Sequence, residues 1–240
     1  MKWFKDWFNS DYYHILYKNR NDKEAKAFID NLIENLNLTR NSKLIDIGCG
    51  KGRHATYFNK KGMNVVGIDL ATNSIKEAKK NTNTTLQFKV HDMREVFKEN
   101  HFDIATNLFT SFGYFENQND NIKTLNAIAN NLKKEGVLII DFMNAYKVMH
   151  NLVNQEQKII NNITFKIKRR IEEKTVIKEI LIKDQNIKKE FKEKVDLLTL
   201  DDFSKLIHKA GLELINIFGN YKLEKFDKKR SERLILIVKK

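Results

Sequence analysis

The spacing of apolar residues changes character twice along this 240-residue chain. Residues 3–17 are crowded with aromatics: Trp3, Phe4, Trp7, Phe8, Tyr12, Tyr13 and Tyr17. Ala25, Phe28, Ile29, Leu32, Ile33 and Leu36 then recur at helical spacing and predict one amphipathic helix. Next, short apolar runs alternate with helical patterns. Strands are predicted at 43–48, 64–68, 85–90, 102–108 and 137–143, and helices at 53–60, 73–81 and 118–133. Such a succession predicts an α/β fold around a parallel sheet covered on both faces.

The period then falls to two. Ile163, Phe165 and Ile167 alternate with Thr164, Lys166 and Lys168; Val176, Ile180 and Ile182 continue a second run; Ile187, Phe191, Val195 and Leu197 form a third. Glu172-Glu173 and Asp184-Gln185-Asn186 separate them as turns. One apolar and one polar face predict a three-stranded antiparallel meander. A helix over 200–210, stopped by Gly211, and strands over 212–218 and 233–238 close the chain. With no repeats and no low-complexity linker, the meander reads as an insertion into one domain.

Composition narrows the function classes. With 41% hydrophobic residues the chain can bury a sizeable core. No apolar run approaches the roughly 20 residues needed to span a bilayer, so no membrane partner is expected. The opening residues are aromatic and carry acids, unlike a signal peptide. Cys49 is the single cysteine, which rules out an intramolecular disulfide and a Cys-based zinc site, and a cytoplasmic setting is expected. No metal is expected. The net charge of +13 invites a nucleic-acid reading. Proline is absent and Lys, Asn and Ile abound, a pattern that also follows from a very AT-rich genome. The excess lies mostly in the last third. Within the meander, acids intersperse the lysines, and its two aromatics, Phe165 and Phe191, fall in the apolar register, so nucleic acid is disfavoured as a partner.

The chemistry concentrates at Leu44 to Gly52, LIDIGCGKG. An apolar run holding Asp46 ends in Gly48, Gly50 and Gly52, around Cys49, and a helical pattern follows. Glycines between a buried strand and a helix let the backbone approach a ligand closely. Asp69 closes the next apolar run, where a carboxylate can accept hydrogen bonds from both hydroxyls of a ribose. Arg53 stands where a dinucleotide fingerprint would place its third glycine, which counts against NAD and FAD.

This stretch resembles motif I of the class I S-adenosylmethionine-dependent methyltransferases. The resemblance extends over about residues 12–143 through Asp69-Leu70, His91-Asp92-Met93-Arg94, Phe102–Phe115 and the fifth-strand segment 132–142. It implies a Rossmann-like sheet of seven strands, mostly parallel with the last antiparallel, and S-adenosylmethionine as cofactor with S-adenosylhomocysteine as product. It implies cofactor contacts from Asp46, Gly48, Cys49, Gly50, Gly52, Asp69 and Leu70. Asp92 would meet the adenine amino group, Met93 would cover the ring, and Asn107 and Leu108 would lie beside the methionine part. Residues 11–25 resemble the N-terminal segment of small-molecule N- and O-methyltransferases, including amino-sugar N-methyltransferases. By position Arg20 would reach the cofactor carboxylate, and Tyr12, Tyr17, Phe112 and Tyr114 would wall the acceptor pocket, with no firm catalytic base.

The implied organisation is a single methyltransferase domain over 1–240, with a helical cap (1–40), a cofactor-binding core (41–145), a β insertion acting as lid (155–198) and a closing helix and hairpin (199–240). The implied reaction is methyl transfer to nitrogen or oxygen of a small-molecule acceptor, by a monomer or homodimer. An RNA methyltransferase using the basic last third, and a non-catalytic S-adenosylmethionine-binding regulator, remain alternatives.

Overall fold

The computed structural model describes residues 3–17, 22–115, 117 and 119–240. Two short helices open it, α1 (Trp3–Phe8) and α2 (Asp11–Leu16), followed by α3 (Asp22–Asn35). Ser10 caps α2 by accepting a hydrogen bond from the Tyr12 amide, which satisfies an otherwise orphaned helix donor. The alternating region supplies β1 (Lys43–Ile47), α4 (Arg53–Lys60), β2 (Asn64–Asp69), α5 (Thr72–Ala78), β3 (Leu86–Val90), β4 (Phe102–Asn107), α6 (Asn119–Asn131) and β5 (Leu132–Met143). Helix α7 (Ala145–His150) leads into β6 (Gln155–Ile160), β7 (Ile163–Glu172), β8 (Thr175–Asp184) and β9 (Ile187–Asp196). The chain closes with α8 (Leu200–Lys209), β10 (Glu213–Phe218) and β11 (Arg233–Lys239).

Seven strands form one sheet in the order β10-β11-β5-β4-β1-β2-β3. The pairs β1–β2, β1–β4, β2–β3 and β4–β5 are parallel, while β11 runs antiparallel to both its neighbours. This is the expected Rossmann-like methyltransferase sheet. Alternate side chains of β1 serve opposite faces: Leu44 packs with Phe28, Ile29 and Phe58, whereas Ile45 and Ile47 pack with Leu125, Ile128 and Phe203. Each such buried side chain contributes about 1.5–3 kcal/mol.

The second sheet is separate, and it has four strands, β6-β7-β8-β9, where the sequence predicts three. Strand β6 escapes prediction because it is a mostly exposed edge, with Gln155, Gln157 and Ile159 turned to solvent. The apolar face of this sheet, carrying Ile163, Phe165, Ile167, Ile180 and Ile182, packs on Trp7 and Leu16 of the opening helices. The crowd of N-terminal aromatics is therefore the complement of that face. No helix among the described residues is long and apolar enough to cross a membrane.

Candidate active site

The loops at the carboxyl ends of β1 to β4 meet α1 and α2 around one cleft of about 340 Å³. Of the residues singled out from the sequence, Gly48, Cys49, Gly50, Asp69, Leu70, Asp92, Met93, Leu108, Tyr17 and Tyr114 line it. The loop after β1 is pinned to β2, since the amides of Gly48 and Cys49 both donate to the Ile68 carbonyl, at 2.8 and 3.0 Å. Gly50 has φ +55, and nothing stands within 4 Å of where a Cβ would be. The loop thus presents bare backbone to the cleft.

Asp69 is the organising carboxylate. One oxygen accepts from the Gly50 amide at 2.8 Å and the other from the Ala71 amide at 2.7 Å. A carboxylate has about four acceptor positions, so capacity remains for hydroxyl donors in the cleft. Burial pushes its pKa up, against the pull of those backbone amides. Asp92 is already engaged, accepting from the Arg94 guanidinium at 3.0 and 2.6 Å, and Arg94 also pairs with Asp120 at 2.7 Å. Cys49 is buried with its thiol pKa pushed well up by burial, then by the nearby Asp46 and Asp69, so it is a packing residue and a poor nucleophile.

Five sequence-predicted site residues lie outside the cleft. Tyr12 turns away: its hydroxyl donates to Asp184 at 2.9 Å, across the turn between β8 and β9. On a six-residue helix one position changes direction by about 100°, and Tyr13 and His14 line the cleft instead. Phe112 is fully buried against Phe203, with ring centroids 5.6 Å apart. Asp46 is buried beneath the loop and accepts from the Thr106 hydroxyl at 2.9 Å. Asn107 is buried and donates to the Ile47 carbonyl at 3.0 Å, cross-linking β4 to β1. Gly52 faces the core, where an added Cβ would stand 2.5 Å from the Phe88 ring. Its glycine serves helix–sheet packing, the third-glycine role of related nucleotide loops. Arg20 lies outside the described residues.

The meander also differs from expectation. Among the described residues no side chain of β6–β9 lines the cleft. The second sheet stands behind α1 and α2, and these helices make the wall. The Tyr17 hydroxyl donates to Glu193 at 2.8 Å and accepts from Lys178, which ties α2 to that sheet.

Several lining residues were not anticipated, among them Phe8, Tyr13, His14, Lys51 and Arg53. Phe8, Tyr13, Tyr17 and Tyr114 form a run of edge-on and tilted rings, with centroids 5.0–5.4 Å apart. Aromatic faces of this kind attract cations. Lys51 and Arg53 add positive charge to the lining, and the Arg53 guanidinium lies 4.7 Å from the centre of the Phe109 ring. His14 has its pKa lowered to about 4, chiefly by burial and then by Lys51, so it is neutral at pH 7. No cluster of His, Cys, Asp and Glu among the described residues could hold a metal ion.

The family description "Methyltransferase domain" matches residues 38–209. The putative methyltransferase YqeM of Bacillus subtilis is 30% identical over 114 residues, covering 46% of each chain. A dTDP-3-amino-3,4,6-trideoxy-alpha-D-glucopyranose N,N-dimethyltransferase of Streptomyces venezuelae is 26% identical over 137 residues, 55% of this chain and 56% of that protein. The chain thus spans about half the length of these curated relatives. Among solved structures, an S-adenosylmethionine-dependent methyltransferase from Clostridium acetobutylicum shares the fold, with a TM-score of 0.81 over 95% of each chain at 22% identity. With the family description covering more than half of the sequence, and the sheet order and glycine loop in agreement, the chain belongs to the class I S-adenosylmethionine-dependent methyltransferase family.

Proposed function

We propose that this protein binds S-adenosylmethionine in the cleft and transfers its methyl group to nitrogen or oxygen of a small-molecule acceptor. The observation that carries the reading is Asp69, held by two backbone amides yet open to the cleft beside the bare Gly50 loop. The donor set fits the cofactor. Asp69 has acceptor capacity for two ribose hydroxyls, Leu70 and Met93 offer apolar cover for an adenine, and Lys51 and Arg53 offer charge for a carboxylate. Arg20 remains proposed for that carboxylate too. When bound, the cofactor supplies a methyl group already activated by a positively charged sulfur.

The chain's own task is then orientation. Holding an acceptor in line with a reactive group can supply much of an acceleration. Tyr13, Tyr17, Tyr114 and Phe8 would hold an acceptor and favour cationic character near the transferred group. Neutral His14 can accept a hydrogen bond from an acceptor N–H or O–H without adding charge. The cleft volume of about 340 Å³ falls within the range of small-molecule sites. Two of the similar proteins carry names that specify sugar substrates: the Streptomyces venezuelae enzyme above and a solved sugar N-methyltransferase from Streptoalloteichus. Both support an amine-bearing small molecule as the first class to try. The same reading divides the chain into an N-terminal cap (1–40), a cofactor core (41–145), a β insertion (155–198) and a closing segment (199–240).

The test is calorimetry with S-adenosylmethionine, followed by a screen of pooled amines and alcohols for S-adenosylhomocysteine release. Charge-assisted hydrogen bonds contribute roughly 1.5–3 kcal/mol each, so Asp69→Ala should weaken cofactor affinity at least about tenfold. Unchanged affinity in a folded Asp69→Ala protein sinks the assignment. Binding without turnover across a broad screen favours a non-catalytic regulator.

A further inference from the structure

Two consecutive non-glycine residues of the loop after β4, Phe109 and Thr110, both have φ +61. The left-handed region is unfavourable for side-chain-bearing residues, and most of all for a β-branched one such as Thr. A backbone of this kind persists only when its surroundings over-determine it. Here the surroundings include one buried carboxylate and the C-terminal hairpin, beside the Tyr114 hydroxyl on the Thr110 carbonyl and the Arg53 guanidinium on the Phe109 ring. Asp141 on β5 is fully buried. Its side chain accepts from the Phe109 amide at 2.9 Å, and its main-chain carbonyl accepts from the Thr110 amide at 2.9 Å. Arg233, the first residue of β11, donates from Nε to Asp141 at 2.7 Å and from a terminal nitrogen to the Thr110 hydroxyl at 3.0 Å. The Tyr221 hydroxyl completes the carboxylate at 3.1 Å, and its ring stacks on Phe109 with centroids 5.8 Å apart.

Phe109 lines the cleft, as do Ser111 and Tyr114 just beyond the strained pair. Arg233, Asp141 and Tyr221 do not line it. We infer that Arg233 and Tyr221 are positioning residues: through Asp141 they hold Phe109 and Thr110 in the left-handed conformation that sets the cofactor and acceptor cleft. The clamp spans more than a hundred residues of sequence and makes the cleft depend on the closing hairpin. The functional part of this inference rests on the cofactor reading above. The conformational part does not.

Two variants test it. Tyr221→Phe keeps the ring stack and removes only the hydroxyl. Arg233→Lys keeps the charge and removes the planar fork. In the ligand-free protein, amide hydrogen exchange at Phe109 and Thr110 should accelerate in both, while the amides pairing β10 with β11 stay protected. Affinity for S-adenosylhomocysteine by calorimetry should fall roughly tenfold or more, because small misplacements of a site are costly. The discriminating experiment repeats each change in a Thr110→Gly background. Glycine adopts φ +61 without strain, so the clamp has less to hold and the affinity loss should shrink to about threefold or less.

Equal losses in both backgrounds, or unchanged exchange at Phe109 and Thr110, overturn the inference and leave Arg233 and Tyr221 as packing residues. Should Arg233→Lys not fold, Tyr221→Phe decides alone. Should the parent protein bind no S-adenosylhomocysteine, the cofactor reading fails, and the exchange measurement still decides the clamp.

Discussion

Trp7 and Glu193 stand 186 residues apart in sequence, and the indole N–H of Trp7 donates to the Glu193 carboxylate at 2.5 Å. The same carboxylate accepts from the Tyr17 hydroxyl and pairs with Lys178 at 3.3 Å, with both charged side chains largely buried. Trp7 is fully buried against Phe191, with ring centroids 4.7 Å apart. One acid of the second sheet therefore anchors both opening helices, and with them the wall formed by Phe8, Tyr13 and Tyr17. Glu193→Ala removes the ion partner of the buried Lys178 ammonium and the acceptor of the Trp7 indole and the Tyr17 hydroxyl. Breaking one side of a buried ion pair costs about 3–5 kcal/mol, and each kcal/mol lowers the melting temperature by roughly 2–4 °C at this size. Glu193→Gln keeps an acceptor and should lose less. Thermal unfolding read by tryptophan fluorescence checks this; an unchanged melting point in Glu193→Ala would show that the apolar face alone holds the helices.

The glycine loop offers a contrast between two neighbouring positions. Gly50→Ala meets no atom within 4 Å, and its cost is the φ +55 backbone alone, about 1–2 kcal/mol. The new methyl would stand in the open space that the loop presents to the cleft. Gly52→Ala drives a methyl to 2.5 Å from the Phe88 ring, and φ there is +79. A Cβ added at Gly67 would likewise stand 2.6 Å from that ring, so Phe88 is packed onto two glycines and does not accommodate a methyl cheaply. Gly50→Ala should lose cofactor affinity at a stability cost of only about 1–2 kcal/mol. Gly52→Ala should lose roughly 2–4 kcal/mol of stability, measurable as an earlier urea midpoint. Reversed outcomes would mean that Gly52, not Gly50, faces the ligand.

What the sequence reveals follows from periodicity. The β1, β2, β4 and β5 runs are apolar on both faces while the edge strand β3 alternates, and the order and carboxyl ends of all five are legible, as are Asp69, Leu70, Asp92 and Met93. Direction within short or irregular segments is not. Tyr12 and Tyr13 differ by one helical step on α2, and nothing local distinguishes them until Asp184, 172 residues away, takes the Tyr12 hydroxyl. Phe112 sits in a loop of aromatics whose inward and outward members depend on the left-handed turn at Phe109 and Thr110. A signal for that turn does exist. Asp141 interrupts the apolar run of β5, Arg233 heads the apolar run of β11, and opposite charges placed so in two buried strands point to an ion pair. Strand β6 lacks a signal, because an exposed edge strand need not alternate.

The outer face of the second sheet should not hold RNA. Lys166, Lys168 and Arg170 of β7 alternate with its inward residues, but acids of the neighbouring strands sit among them. Lys168 lies opposite Glu179, which lies opposite Lys192. Arg170 pairs with Glu172 at 2.6 Å and with Glu179 at 2.7 Å. The two aromatics of the meander, Phe165 and Phe191, face the opening helices, so no stacking platform accompanies the charge. Binding to single-stranded RNA should be weak and lost steeply with salt. Filter binding at about 150 mM salt, where surface charges are screened beyond roughly 8 Å, checks this. Sub-micromolar affinity there, with methyl incorporation into RNA, would promote the RNA methyltransferase reading.

Asp46 gives a pH dependence of definite sign. Burial beneath the glycine loop raises its pKa to about 7, although the Thr106 hydroxyl and the Ala55 amide pull it down. Between the ordinary carboxylate value of 3.8 and about 7 the folded protein keeps a proton that the unfolded chain has released. Wherever the folded state binds more protons, stability falls as pH rises. This group's contribution is complete below about pH 4 and declines through the folded pKa, by an amount on the order of a few kcal/mol at most. Asn resembles the protonated carboxyl in shape and neutrality, and its carbonyl can still accept from Thr106. Asp46→Asn should therefore match the parent near pH 4 and exceed it near pH 8, with the gap in urea midpoint widening up to about pH 7. Other titrating groups, Asp69 and His14 among them, are shared by both proteins and largely cancel in the difference. A gap that stays constant with pH would mean that Asp46 is ionised in the fold throughout, its charge met by the loop amides above it.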